Sequence, residues 1–248
     1  NPSKIKNKAQ PKYLNATLRP YQKSGYNWLN QMNDLGFGAC LADDMGLGKT
    51  LQVISFLEKM YEKKKDGHVL LIVPASLLGN WSKEIDRFAP KMPYYILHGK
   101  NNIVHEDTFI TITTYGMALR NVFLQERVWD CLILDEAQAI KNPATKQTRA
   151  IKKIPSHMRI AMTGTPIEND LSNLWSLFDF LNKGLLGSAS EFKEYAKKVQ
   201  AYPEYMTKLK MMVSPFILRR LKTDKTIISD LPDKMEITEH VDLSKRQV

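Results

Sequence analysis

The run Asp43-Asp44-Met45-Gly46-Leu47-Gly48-Lys49-Thr50 constrains this chain more than any other stretch. Glycine has no Cβ, so a loop ending Gly-Leu-Gly-Lys-Thr lets backbone N–H groups close around a polyphosphate. Ahead of the loop, Phe37 to Ala42 is a short apolar run that reads as a buried strand. Behind it, Leu51, Ile54, Leu57 and Tyr61 recur at helical spacing, with Val53 and Met60 widening the apolar face. Strand, glycine loop and helix is the order a phosphate-binding loop requires, with the positive end of the helix dipole turned to the anion. In such a loop Lys49 reaches the β- and γ-phosphates of a nucleoside triphosphate and the Thr50 hydroxyl binds Mg²⁺. Asp43 stands where the general pattern G-x-x-x-x-G-K-[ST] has its first glycine.

The rest of the chain supplies a setting for that loop. Strand-like runs at 37–42, 69–73, 94–98, 109–114, 131–134 and 159–163 alternate with helical patterns at 50–62, 80–88, 116–124, 144–152 and 171–181. Trp28, Leu29 and Met32 add a further helical pattern within 23–33. The alternation predicts an α/β fold, a mainly parallel sheet with helices on both faces and right-handed crossovers. Residues 1–16 read as a leader or linker and 17–181 as the α/β lobe. Past 182 the strands stop: 182–213 is lysine-rich with an amphipathic set at Phe192, Tyr195, Ala196 and Val199, and reads as a helical insertion. Residues 214–248 are basic and mixed, a connector that ends in one strand-like alternation at Ile237, Glu239, Val241 and Leu243.

Composition narrows the partners. Of 248 residues 43% are apolar and 25% charged, ordinary values for a soluble globular chain. No apolar run approaches the ~20 residues of a spanning helix, so no membrane partner is expected. Lys4, Lys6, Lys8 and Lys12 without an apolar block do not make a signal peptide. Cys40 and Cys131 fall in strand-like runs, as small buried hydrophobes of an intracellular, reducing compartment. None of the five histidines has zinc-ligand spacing. A net charge of +10, from 36 basic and 26 acidic residues, points to a polyanion, with nucleic acid as the leading candidate.

Two further stretches carry chemistry. In Cys131-Leu132-Ile133-Leu134-Asp135-Glu136-Ala137-Gln138 a buried strand ends in two carboxylates. Ligands in such sheets bind beyond the carboxyl ends of the strands. Asp135 is therefore placed to hold Mg²⁺, and Glu136 to orient and deprotonate an attacking water. In Met162-Thr163-Gly164-Thr165-Pro166 two hydroxyls flank a glycine at another strand end, fit to sense a γ-phosphate or to link it to a nucleic-acid site.

These elements, in their order and spacing, resemble helicase superfamily two, and within it the Swi/Snf-type ATPases. The likeness covers the chain from Leu18 onward. Leu18-Arg19-Pro20-Tyr21-Gln22 looks like the family's opening motif, which implies nucleotide contacts from Arg19 and an adenine-reading role for Gln22. Asp43 to Thr50 matches the family's own form of the phosphate loop, Asp43 included. Ile72-Val73-Pro74-Ala75-Ser76 through Asn80-Trp81, and then Thr113-Thr114-Tyr115, resemble segments that touch a nucleic-acid backbone. Asp135-Glu136-Ala137-Gln138 is similar to the family's acid box, and Thr163-Gly164-Thr165-Pro166 with Ile167-Glu168-Asn169 to the coupling motif after it, which gives Gln138, Thr163 and Thr165 coupling roles and brings Thr163 and Gly164 near DNA. Pro215-Phe216-Ile217-Leu218-Arg219-Arg220 with Lys222 and Asp224, and Leu231-Pro232-Asp233-Lys234, resemble the Swi/Snf branch.

The residues are compatible with those roles. Hydroxyls and N–H groups at Ser76 and Thr113 to Tyr115 suit phosphate contacts, which position a protein without reading sequence. Trp81 either supports a backbone contact or is the core tryptophan of an amphipathic helix; Trp28, Trp129 and Trp175 are assigned to the core. Arg219, Arg220 and Lys222 either line a DNA path or form a salt-bridge cluster in the linker.

The resemblance implies ATP and Mg²⁺ as ligands, movement along double-stranded DNA, and a DNA-bound protein as the remodelling target. It also implies a second RecA-like lobe, whose arginine stabilises the transferring phosphoryl group. Nothing after Lys234 is long enough for that lobe. The chain is thus expected to be a first lobe cut from a larger protein, hydrolysing ATP poorly alone, since losing such an arginine costs roughly 10³–10⁵ in rate. Its compartment is then the cytoplasm and nucleoid of a prokaryote, favoured by the compact insertion, or a nucleus. Two other readings compete: an RNA helicase of the same superfamily, against which Gln138 and Phe216 to Arg220 argue, and a silent scaffold, against which Lys49, Thr50, Asp135 and Glu136 argue.

Overall fold

The structure is a computed structural model and describes residues 5–165 and 170–229. Its frame is a seven-stranded sheet with every neighbouring pair parallel. In chain order the strands are Ala39–Leu41 (β1), Val69–Val73 (β2), Tyr94–Leu97 (β3), Ile110–Thr114 (β4), Trp129–Leu134 (β5), Ser156–Met162 (β6) and Ile217–Leu218 (β7). Their spatial order is β3-β4-β2-β5-β6-β1-β7. This is the parallel sheet expected from the alternation.

The period of two along each strand sorts side chains into two layers. Val69, Leu71 and Val73 of β2 and Cys131 and Ile133 of β5 enter one apolar core. Leu70 and Ile72 of β2 and Leu132 and Leu134 of β5 enter the other. Pro20–Leu35 (α1), Lys49–Lys63 (α2) and Leu78–Phe88 (α3) cover the first face through Leu29, Ile54, Leu57, Trp81 and Ile85. Tyr115–Arg120 (α4), Val122–Glu126 (α5), Lys146–Lys153 (α6) and Leu171–Leu181 (α7) cover the second through Ala118, Leu124, Ile151, Leu177 and Phe180. Both faces of the sheet are buried, which is why β2 reads as an unbroken apolar run.

Ala189–Ala201 (α8) and Pro203–Val213 (α9) build a satellite cluster on α7, where Leu174 and Phe178 meet Phe192, Leu209 and Val213. Ser188 starts α8 with a reciprocal capping box to Glu191. Lys225–Ile228 (α10) follows β7, and its Ile227 packs with Tyr21 and Leu47.

Several elements differ from the periodicity. The helical pattern at 116–124 splits into α4 and α5, because Asn121 is extended at φ −92° and ψ 111°. The run 37–42 contracts to three residues, whereas β5 and β6 start earlier than their apolar runs. Ile217 and Leu218 extend the sheet beside β1 from within the stretch read as connector; two residues show no period. Trp28 and Trp129 lie in the core, but Trp175 is only half-buried, against the satellite cluster, with its Nε1 donating to the Gly187 carbonyl at 3.1 Å. Pro166, Ile167-Glu168-Asn169, Leu231 to Lys234 and the alternation at 237–243 lie outside the described residues.

One buried acid carries a stability prediction. Glu58 of α2 is 1% exposed, and its Oε2 meets no hydrogen-bond partner. Burial pushes its carboxyl above the ordinary range, Glu62 adds to the rise and Lys91 opposes it. A raised folded-state value favours the protonated form, so the penalty is absent below the ordinary carboxylate range and grows as pH rises through the raised value. Glu58→Gln is therefore expected to raise Tm at pH 8 and to leave it unchanged at pH 4, in thermal unfolding followed by circular dichroism across that range.

Candidate nucleotide-binding site

β5, β6 and β1 are consecutive in the sheet, and the three motifs follow their carboxyl ends. The phosphate loop leaves β1, the acid pair leaves β5 and Thr163-Gly164-Thr165 leaves β6. Gly46 and Gly48 take φ of 85° and 82°, a left-handed conformation that side chains with a Cβ rarely adopt. A Cβ on Gly48 would stand 2.6 Å from Gln22 Nε2, so Gln22 lies against the loop, with its Oε1 accepting from the Arg19 N–H at 3.0 Å. Met45 is exposed at the loop tip and Leu47 is buried beneath it.

Lys49 opens α2 and its Nζ donates to the Asp43 carbonyl at 2.6 Å. Burial pushes the ammonium below its ordinary value, while the charges of Asp43, Asp135, Glu136 and Asp44 push it back up. Lys49 is thus the cation on which four neighbouring carboxylates act, at the first turn of a helix whose N–H groups favour an anion. Thr50 is half-exposed on the same first turn. A Cβ on Gly164 would lie 3.2 Å from Met45 Cγ and 3.9 Å from Lys49 Nζ, which places the third motif beside the loop.

Asp135 is 8% exposed. Burial pushes its carboxyl up; the hydrogen bonds from Trp81 Nε1 to Oδ2 and from the Glu136 N–H to Oδ1, both 2.8 Å, pull it down. Glu136 follows at φ 52°, the one described non-glycine residue in the left-handed region. From it runs a chain of side-chain bonds: Gln138 Nε2 donates to Glu136 Oε2 at 2.5 Å, and Thr163 Oγ1 donates to Gln138 Oε1 at 3.1 Å. The Thr165 N–H closes the chain on Thr163 Oγ1 at 3.1 Å. Among the described residues no group of three or more His, Cys, Asp or Glu could hold a metal ion. The donor set of one hydroxyl and one carboxylate, Thr50 and Asp135, instead fits Mg²⁺ that takes its other ligands from phosphate oxygens and water.

The Asp43 carboxylate is engaged inside the protein. It is fully buried, and Arg220 grips it with Nε on Oδ1 at 2.9 Å and Nη2 on Oδ2 at 2.6 Å. The Arg220 N–H also donates to Asp43 Oδ1 at 2.9 Å, and Nη1 donates to the Tyr21 carbonyl. Gln52 joins the cluster, accepting from Arg220 Nη2 at 2.6 Å and donating to Asp43 Oδ2 at 3.3 Å. Beside it Asp44 accepts from the Lys222 N–H at 3.0 Å and pairs with Arg219 at 3.7 Å. Arg219 and Arg220 therefore form the salt-bridge cluster, to which Lys222 contributes only its backbone N–H. Arg220 is corrected from a DNA-path residue to a largely buried brace of the phosphate loop. Gln52 had a signal in the sequence, a glutamine on the apolar face between Leu51 and Val53 and Ile54.

The segments expected to meet nucleic acid divide in two. β2 and β4 end on the far side of β5, so their trailing segments share the same edge of the sheet. Ala75 and Ser76, in a 3-10 turn, and Asn80 of α3 are exposed there. Trp81 is fully buried and Thr113 too, the latter with Oγ1 donating to the Leu97 carbonyl at 2.7 Å. Thr114 caps α4 by accepting from the Met117 N–H at 3.4 Å, and the Tyr115 hydroxyl donates to the Asp135 carbonyl at 2.6 Å. Trp81 is thus the core tryptophan of α3, the second of its two readings, and the side chains of Thr113, Thr114 and Tyr115 are corrected from direct DNA contacts to internal ones, since packing and hydrogen bonding already consume their surface.

Comparison with known proteins gives this arrangement a family. The SNF2-related domain family matches residues 21–248. The Bacillus subtilis protein YwqA is 43% identical over 244 residues, spanning 93% of this chain and 26% of that protein. The chromatin-remodeling ATPase INO80 of Saccharomyces cerevisiae is 37% identical over 269 residues, spanning 96% of this chain and 18% of that protein. Among solved structures, the Sulfolobus solfataricus SWI2/SNF2 ATPase core in complex with dsDNA superposes with a TM-score of 0.87 at 48% identity, over 91% of this chain and 49% of that one. The chain thus spans about a quarter or less of these two relatives and about half of the solved core. It belongs to the SNF2-related domain family, and its fold is the RecA-like lobe of a SWI2/SNF2 ATPase core.

Proposed function

We propose that this chain is the ATP-binding first lobe of a translocase that moves on double-stranded DNA and remodels proteins bound to it. One observation carries the reading: phosphate loop, acid pair and Thr-Gly-Thr segment converge at the ends of three neighbouring parallel strands. The loop N–H groups and Lys49 bind the triphosphate, and Gln22, packed against Gly48, faces the base. Thr50 and Asp135 would hold Mg²⁺, which would supply charge neutralisation for the bound triphosphate. Glu136 takes the proton from the attacking water, and the Glu136–Gln138–Thr163 chain reports the state of that carboxylate to the edge of the lobe. A second RecA-like lobe supplies the arginine that completes the charge stabilisation, so the single lobe binds ATP and turns it over slowly.

Duplex DNA as the track is supported by the net charge of +10, by the exposed Ala75, Ser76 and Asn80 on one sheet edge, and by the likeness to a core solved on dsDNA. The compartment is then the one that holds the DNA, the cytoplasm and nucleoid of a prokaryote or a nucleus. Among the described residues no helix is long and apolar enough to cross a membrane.

Fluorescence anisotropy with a labelled blunt duplex tests the track. Binding is expected to weaken as salt rises, with a log–log slope of about −0.9 per phosphate neutralised. Asn80→Asp, which sets a like charge against a phosphate, should weaken it several-fold. Tighter binding to single-stranded RNA of equal length would favour an RNA helicase instead.

A further inference from the structure

Two buried aromatic residues hold the acid pair from opposite sides. Trp81 reaches from α3 and donates its indole N–H to the Asp135 carboxylate at 2.8 Å. Tyr115 stands at the end of β4, and its hydroxyl donates to the Asp135 carbonyl at 2.6 Å and toward the Glu136 carbonyl at 3.4 Å. With the Glu136 N–H on Oδ1, both carboxylate oxygens and the peptide that follows are pinned. Packing alone does not ask for the polar atoms, since a buried N–H or O–H is tolerated only with a partner. The pinning has something to resist. A left-handed non-glycine residue persists only where its surroundings over-determine it, and Glu136 is one.

We propose that Trp81 is a positioning residue of the acid pair, with Tyr115 as its backbone counterpart. The indole fixes the Asp135 carboxylate in one rotamer, so that its free lone pairs point to the Mg²⁺ position, and the tyrosine hydroxyl keeps the Asp135–Glu136 turn in its left-handed form. This rests on the ATP–Mg²⁺ reading above. It also makes the aim of Asp135 a property of α3, which follows directly on the exposed turn at Ala75 and Ser76.

Trp81→Phe in the whole chain is the test, with two readouts. First, the four tryptophans give indole ¹H–¹⁵N signals, and the one missing in Trp81→Phe belongs to Trp81. That signal should exchange slowly with solvent and move in Asp135→Asn. Second, Mg²⁺ is titrated against the chain with ATP. Trp81→Phe should leave ATP affinity in EDTA unchanged and weaken the Mg²⁺-dependent part about 10-fold, the scale of one hydrogen bond to a charged group. In an Asp135→Asn background the same substitution should cost nothing further. Equal losses with and without Mg²⁺, an unchanged Mg²⁺ dependence, or a loss that persists beside Asp135→Asn would overturn the proposal. A wild-type chain that binds no ATP at all would overturn the nucleotide reading instead. In that event a rapidly exchanging Trp81 indole, indifferent to Asp135→Asn, overturns this inference as well.

Discussion

Lys49→Ala is expected to weaken Mg–ATP binding by this chain about 10–100-fold, the scale of a lost hydrogen bond to a charged group. The size follows from the electrostatics of the pocket. Lys49 is the cation that Asp43, Asp44, Asp135 and Glu136 all act on. Without it, a triphosphate approaches carboxylates with only helix N–H groups to receive it. Its present hydrogen bond, to the Asp43 carbonyl, is one that a phosphate oxygen can replace without moving the backbone. Isothermal titration of Mg–ATP into the wild type and the variant measures the loss, and circular dichroism checks that the fold remains. Equal affinities would remove Lys49 from the site.

The second large effect is on stability. Arg220→Met leaves the Asp43 carboxylate fully buried without its cation, and breaking a buried pair in this way costs about 3–5 kcal/mol. In a domain of this size 1 kcal/mol moves Tm by about 2–4 °C, so the midpoint should fall by about 6–20 °C. Asp43→Asn combined with Arg220→Met should recover part of that loss, because no charge is then stranded. Differential scanning calorimetry of the three variants decides. A shift under a few degrees for Arg220→Met would mean that water reaches Asp43 once the arginine is gone. The consequence reaches the phosphate loop, since Asp43 and Asp44 are both tied to the segment around β7.

These two effects also mark what a sequence can and cannot disclose. The phosphate loop is legible because its chemistry demands specific residue types next to one another, between an apolar run and a helical period. The same holds for Asp135 and Glu136 at the end of an apolar strand. The strand order is not legible: nothing local says that β1, β6 and β5 lie side by side, although the site depends on it. The Arg220–Asp43 pair spans 177 positions, so two basic residues near a linker fit a DNA path equally well. For Trp81 and Tyr115 the motifs they belong to suggest contacts with a nucleic-acid backbone. Only the tertiary packing turns both donors inward to the acid pair. Asp43 reads as a departure from the general loop pattern until its ion pair is seen; a glycine there would leave Arg220 without its partner.

The most direct test of the central claim is steady-state ATP hydrolysis by the protein in which this lobe is joined to a second RecA-like lobe, with blunt duplex DNA or with RNA of equal length. Duplex DNA should stimulate turnover well beyond RNA, and Glu136→Gln should abolish the turnover while ATP binding persists. Turnover that duplex DNA does not raise, or that survives Glu136→Gln, would contradict the account.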